Sequence, residues 1–191
     1  MRLDKKRKLQ GKTNYRKRLI LLKGSLPRLV VRKTNRYVII QIIESKNAQD
    51  KVVNSVNTRD LLKYGWPDDK KGSLKSITAC YLGGFLIGKK SKVKKVILDI
   101  GLIPNTKGSR VYAVVKGILD SGIEINCDKD VFPSEEKIKE HEGIDVKSIL
   151  EKINKISNSK TDIKQEQTSP SETNRSSKVK SFNKLPNNKN K

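Results

Sequence analysis

Residues 28–42 read RLVVRKTNRYVIIQI. Two apolar runs, LVV and YVIIQI, flank a knot of Arg, Lys, Thr and Asn, and Val, Ile and Tyr are side chains that favour strands. The pattern predicts a β-hairpin with strands over 28–31 and 37–43, joined by a turn at Thr34 and Asn35. Such a hairpin needs a core to pack against, which commits the chain to a sheet. A structural hairpin needs a polar turn, but it does not need this many cations. Alternation puts Leu29 and Val31 on one side of the first strand and Arg28, Val30 and Arg32 on the other. With the aliphatic pair in the core, the arginines point at the open face of the sheet. Lys33, Asn35, Arg36 and Tyr37 bracket the turn beside them. Taken alone, these charges would suit a solvated edge that discourages strand pairing.

The rest of the chain supplies the partners of that hairpin. Residues 51–56 (KVVNSV) read as a third, shorter strand, and 65–69 (GWPDD) as a loop. Ser73 is placed to cap a helix running to about Gly88, with Ile77, Cys80, Tyr81 and Phe85 as its apolar face. Residues 95–100 (KVILDI) form a near-continuous apolar run, as in a buried strand. Over 110–120, Val111, Val114, Val115 and Ile118 share one helical face, with Gly122 just past the end. Residues 123–125 suit a short strand. Pro133-Ser134-Glu135-Glu136 starts a last helix, with acids at its positive end. The order predicts a mixed α/β (α+β) fold: one small sheet with helices packed on one face, the other left for a ligand.

Charge divides the chain into zones. The total is 43 Lys+Arg against 20 Asp+Glu, a net +23. Residues 1–36 hold 14 of the bases and one acid, Asp4. Residues 37–144 hold 18 bases and 14 acids, and residues 145–191 hold 11 and 5. The expected organisation is a basic arm and helix over 1–26, a globular domain over 27–144, and a polar basic tail over 145–191. The tail, rich in Ser, Asn, Lys and Thr, buries too little to offset chain entropy and is expected to be disordered in isolation. So large an imbalance calls for a polyanion: nucleic acid first, an anionic membrane surface second. No apolar run is long enough to span a bilayer. The basic N-terminus lacks the apolar segment and cleavage site of a secretory signal. Cys80 and Cys127, with His141 as the one histidine, do not make a four-ligand zinc pattern, and two buried or half-buried thiols are expected.

Catalytic motifs fail on spacing. In residues 83–88 (GGFLIG), Phe85 stands where a dinucleotide fingerprint needs its second glycine, and close packing of two elements explains the glycines better. In GLIPNTKGS (101–109), Lys107 precedes Gly108, the reverse of a phosphate loop. Asp99, at the end of a strand, stands where a ribonuclease-H-like enzyme could hold metal. Glu44, Asp60 and Asp120 do not complete a convergent set, and a structural Asp bonding local backbone is preferred. His141 has no nucleophile or orienting acid. The alternatives carried forward are an RNA-processing enzyme with a ribonuclease-H-like core and a nucleoid-type DNA binder.

The binding pattern is stronger. In the arm, Lys5, Lys6, Arg7, Lys8 and Lys12 lead into Asn14, Tyr15, Arg16, Lys17 and Arg18. The cations suit phosphates, while Asn14 and Tyr15 can bond to or stack on bases. From 15 to 22 the period is helical, with Leu19 and Leu22 on one side and Arg16, Lys17 and Lys23 elsewhere. That predicts a basic helix docked by an apolar stripe. Lys107, Ser109 and Arg110, in a flexible loop at a helix start, form a second candidate phosphate site. Together these features describe a folded RNA binder with no catalytic residue, cofactor, metal or small-molecule substrate.

Several blocks then carry a family resemblance: residues 13–42 (TNYRKRLILLKGSLPRLVVRKTNRYVIIQI), YGW (64–66), TACYLGGFLIG (78–88), LDIGL (98–102) and KGSRVYAVVKGILDSGIEI (107–125). In order and spacing, the chain resembles the archaeal and eukaryotic branch of universal ribosomal large-subunit protein eighteen, from about Thr13 to Gly143. The resemblance implies a cytoplasmic, non-catalytic constituent of the large ribosomal subunit. It implies that the sheet and the basic N-terminus grip 5S rRNA within the central protuberance, with 23S rRNA and neighbouring ribosomal proteins as further partners. Two departures stand out. KSITACY (75–81) replaces a Pro-Ala-Ala-Tyr pattern, and EHEG (140–143) only approximates a Gly-x-His ending. The tail beyond about Asp145 is longer and more polar than the archaeal form.

Overall fold

The computed structural model describes residues 4–46, 49–139 and 143–162. Five strands make one mixed sheet: β1 (Arg28–Lys33), β2 (Val38–Lys46), β3 (Gln49–Asn57), β4 (Lys95–Asp99) and β5 (Glu124–Ile125), in the order β3-β2-β1-β4-β5. The predicted hairpin is β1–β2, antiparallel with Arg28 opposite Ile43 and Lys33 opposite Val38. β1 also pairs in parallel with β4, Arg28 beside Ile97 and Val30 beside Asp99. The helices are α1 (Lys6–Leu9), α2 (Tyr15–Lys23), α3 (Ile77–Lys90), α4 (Arg110–Asp120), α5 (Glu135–Lys139) and α6 (Val146–Asp162).

The core is set by the alternation of the central strands. Leu29 and Val31 of β1 and Val38, Ile40 and Ile42 of β2 point to one face and are buried. Helix α3 lies across that face, and α4 and α6 pack against α3. The valine face of α4 is buried as expected, and Gly122 follows its end at φ 102°. Helix α3 departs from expectation twice. It starts at Ile77, because Ser76 caps it by accepting the Ala79 N–H, whereas the Ser73 hydroxyl donates to the Lys70 carbonyl and ends the preceding turn. It is also buried nearly all round, from Thr78 to Cys80 and from Leu82 to Gly88, where a stripe through Ile77, Cys80, Tyr81 and Phe85 was expected. The cause is its central place between sheet, α4 and α6. Close approach of α3 to α4 depends on glycine: a Cβ at Gly84 would overlap the Val114 carbonyl, and one at Gly117 would overlap the Tyr81 carbonyl.

The boundary expected at residue 145 is also corrected. Helix α6 extends the fold into that segment, with Ile149 and Ile153 buried in the core against α3. Asp145 starts the helix, its carboxylate accepting the N–H groups of Lys147 and Ser148. The disorder expected further along, and His141, fall outside the described residues.

Candidate nucleic-acid interface

On the second face of the sheet, α2 lies near β1 and the end of β4. Between this helix, the chain leading into it and the sheet lies an open groove of about 680 Å³. It is lined by Arg7, Lys12, Asn14, Lys17 and Arg18 from the arm, by Arg28, Arg32 and Lys33 from β1, and by the loop after β4. Eight of the sequence-predicted binding residues are thus brought together.

Arg28 corrects the expectation made for it. Alternation places it on the open face, but its side chain is only 5% exposed. Nη1 donates to Asp99 Oδ2 at 3.2 Å, and Nη2 donates to Asp50 Oδ1 at 2.8 Å and Ser45 Oγ at 3.0 Å. Its Nε has no partner. Arg28 is the hub of an ion-pair cluster in the groove floor, not a side chain offered to a ligand.

Arg32 is different. Its side chain is 42% exposed, and the guanidinium is held in place by Asp99 Oδ1 at 3.1 Å and by the carbonyls of Asp99 and Val31. Asp99 also accepts the Gly101 N–H at 2.9 Å, so the expected local backbone bond is present, together with two arginines. A carboxylate flanked by two guanidiniums and a backbone N–H has few lone pairs left for a divalent cation. The arrangement fixes the cationic edge of Arg32 toward the groove, where it can donate bidentately to a phosphate.

The arm is built from local bonds. Asn14 caps α2, its side-chain oxygen accepting the Lys17 N–H at 3.1 Å, which leaves its amide N–H2 for a ligand. Lys5 lies over the Tyr15 ring, 4.6 Å from its centroid, so one face of that ring is covered. Arg7 donates to Thr13, and Lys8 pairs with Asp4. Lys6, Arg16, Lys17 and Lys23 are exposed. The apolar stripe expected to dock α2 does so only in part: Leu19 is 58% exposed, Leu22 is half-buried as is Leu21, and no residue of the helix is fully buried. The surface beneath it mixes the charged cluster with Val30, Leu98, Ile100 and Ile103, so the helix has only a partial apolar seat. The helix is also tied to the domain by Arg18, whose Nη2 lies 2.8 Å from Asp50 Oδ2.

The remaining predicted residues lie outside the groove. At the hairpin turn, Asn35 and Arg36 are exposed, and Tyr37 lies under Arg59, whose guanidinium carbon is 4.2 Å from the ring centroid. Lys107, Ser109 and Arg110 start α4; Ser109 makes no side-chain cap bond there. Because β4 runs parallel to β1, the loop after β4 and the hairpin turn lie at the same end of the sheet.

Sequence reasoning missed Asp50, Arg59 and the groove role of Asp99. The alternation that assigned Arg28 and Arg32 also puts Asp99 on their face, since it stands opposite Val30. No comparable signal marks Asp50 or Arg59, which reach their positions through tertiary pairing.

The chain matches known proteins over most of its length. The family model described as ribosomal large subunit proteins 60S L5, and 50S L18 matches residues 1–95 and 88–128. Large ribosomal subunit protein uL18 of Korarchaeum cryptofilum (strain OPF8) is 44% identical over 151 residues, which cover 78% of this chain and 74% of that protein.

Proposed function

Because the chain belongs to the family of ribosomal large subunit proteins 60S L5 and 50S L18, we propose that it binds 5S rRNA and helps attach it to the 23S rRNA in the central protuberance. As a protein of the large ribosomal subunit, it works in the cytoplasm within the ribosome, in a family of structural proteins rather than enzymes. Neighbouring large-subunit proteins are further proposed partners.

The observation that carries this reading is the groove, in which arm cations and sheet cations converge on one concave surface. A polyanion laid along it would meet Arg7, Lys12 and Lys17 on one wall and Arg32 and Lys33 on the other. The exposed cations of the arm and of the hairpin turn extend the same positive surface beyond the groove.

The direct test is affinity for 5S rRNA measured against a 23S rRNA fragment and against duplex DNA of equal length, each over a range of salt. Preference for 5S rRNA supports the reading. Equal affinity for all three would reduce it to a general polyanion binder. Deleting residues 1–18 should flatten the salt dependence, since about 0.7–0.9 counterions are released per phosphate neutralised. An unchanged slope would show that the arm does not touch phosphate.

A further inference from the structure

Helix α2 poses a mechanical problem. It carries Arg16, Lys17, Arg18 and Lys23, buries no residue, and lies over a sheet face that itself bears Arg28, Arg32 and Lys33. Like charges on both sides oppose that seat, and its apolar anchor is slight: Leu19 and Ile20 are exposed, and Leu21 and Leu22 are only half-buried. Yet the helix is seated there.

Asp50 resolves the conflict. The β2–β3 hairpin is longer than the sheet it belongs to: β1 pairs with β2 only as far as Ile43, while β2 and β3 continue to Lys46 and Gln49. In that overhang Asp50 stands opposite Ser45, which donates a hydrogen bond to Asp50 Oδ1. The same oxygen accepts from Arg28 Nη2 at 2.8 Å. The other oxygen, Oδ2, is left for Arg18 Nη2 of the helix, also at 2.8 Å. One carboxylate therefore joins a buried arginine of the sheet to a half-exposed arginine of the arm. Among the described residues, this is the one ion pair between the arm and the domain.

We propose that Asp50 is a positioning residue: a latch that holds the basic helix α2 over the open face before RNA arrives. Ordering the arm in the free protein removes part of the entropy that binding would otherwise have to supply. The Ser45 hydroxyl and Arg28 fix the carboxylate, and Arg18 is the movable end. The purpose of the latch rests on the RNA-binding reading above, but its existence does not, so the two can fail separately.

The test uses the full chain without RNA and follows amide hydrogen exchange in residues 15–23. Asp50→Asn keeps the shape but loses the charge, and it should speed exchange there by about tenfold, the factor expected for one lost charge-assisted bond. Asp50→Glu should retain most of the protection. Arg18→Gln is the second variant, because it opens the latch from the arm side and leaves the Asp50–Arg28 pair intact. It should match Asp50→Asn in α2, while exchange in β1 and α3 stays as in the parent chain. Unchanged α2 protection in Arg18→Gln would overturn the latch. Its purpose is then read from 5S rRNA association: a slower on-rate for Asp50→Asn supports preorganisation. Faster or tighter binding would show instead that Asp50 acts only as a repulsive charge in the RNA site.

Discussion

Arg28 and Asp99 meet diagonally across the parallel β1–β4 pair, Nη1 to Oδ2 at 3.2 Å, with each side chain about nine-tenths shielded from solvent. Arg32 reaches the same carboxylate from four residues further along β1, with a side chain 42% exposed. Two arginines on one strand face therefore have different tasks. Arg28 is enclosed by Asp99, Asp50 and Ser45 and holds strands together. Arg32 presents a guanidinium whose orientation Asp99 has fixed.

That difference predicts opposite phenotypes. Removing one member of a buried pair leaves an uncompensated charge and costs about 3–5 kcal/mol. Arg28→Ala should therefore lower the unfolding free energy by roughly 3 kcal/mol, the low end because Arg32 still faces Asp99. Arg32→Ala should cost less than about 1 kcal/mol, as exposed pairs do, and should weaken RNA binding instead. Urea denaturation and RNA titration of both variants check this. Equal loss of stability in the two would show that exposure does not separate their roles.

The contact between α3 and α4 predicts a steric penalty with no electrostatic component. Gly84→Ala and Gly117→Ala would each drive a methyl into a backbone carbonyl of the facing helix, and a carbonyl cannot turn aside as a side chain tip can. Each should destabilise by about 3 kcal/mol, at the upper end of ordinary overpacking. A shift in denaturation midpoint with an unchanged slope would report it. A neutral result for Gly84→Ala would mean that the helices can separate freely.

Helix α6 shows where composition misleads. Residues 146–155 (VKSILEKINK) read as tail by their Lys, Ser and Asn, yet Ile149 and Ile153, four apart, are buried against α3. Ile153→Ala should cost about 2–5 kcal/mol, and thermal or urea unfolding would show it; a cost under 1 kcal/mol would return the segment to the tail. The central strands were legible as short runs rich in Val and Ile, and α4 because its valines and Ile118 recur at helical spacing. The helix start at Ser76 was not, because two serines three residues apart are equally good caps by sequence. For the site, alternation correctly named the face of Arg28 and Arg32. It could not say that Asp99 and Asp50 lie against Arg28, since that depends on which strands become neighbours and on how far one hairpin overhangs the sheet.

The two thiols provide a separate check on the core. Cys80 is buried in α3, and desolvation pushes its thiol up to about 12, against a weaker lowering by Arg110 and Lys33. Cys127 is half-buried; partial desolvation and the charge of Asp128 raise its thiol too. At pH 8 the Cys80 thiol therefore stays protonated, and thiolate is the reacting species. Iodoacetamide should label Cys127 in the native protein and Cys80 only on unfolding, as read by peptide mass spectrometry. Native labelling of both at one rate would place Cys80 outside the core.

The Asp50 latch has a pH dependence whose direction follows from its neighbours. Partial burial pushes this carboxyl up, but the Ser45 hydrogen bond and the charges of Arg28 and Arg18 outweigh it and hold the group below its ordinary value of 3.8. A depressed carboxylate contributes stability that is fully present above the unfolded value and is lost as pH falls through the folded one. The seat of α2 should therefore be constant from neutral pH down to about 4 and loosen only below that. Exchange protection of residues 15–23, corrected for the intrinsic pH dependence of exchange, measures this in the parent chain. Asp50→Asn has no carboxylate to protonate, so its α2 should be as loose at pH 7 as the parent's is in acid. The two curves should converge as pH falls. If the parent loosens already between pH 7 and 5, a group other than Asp50 holds the helix.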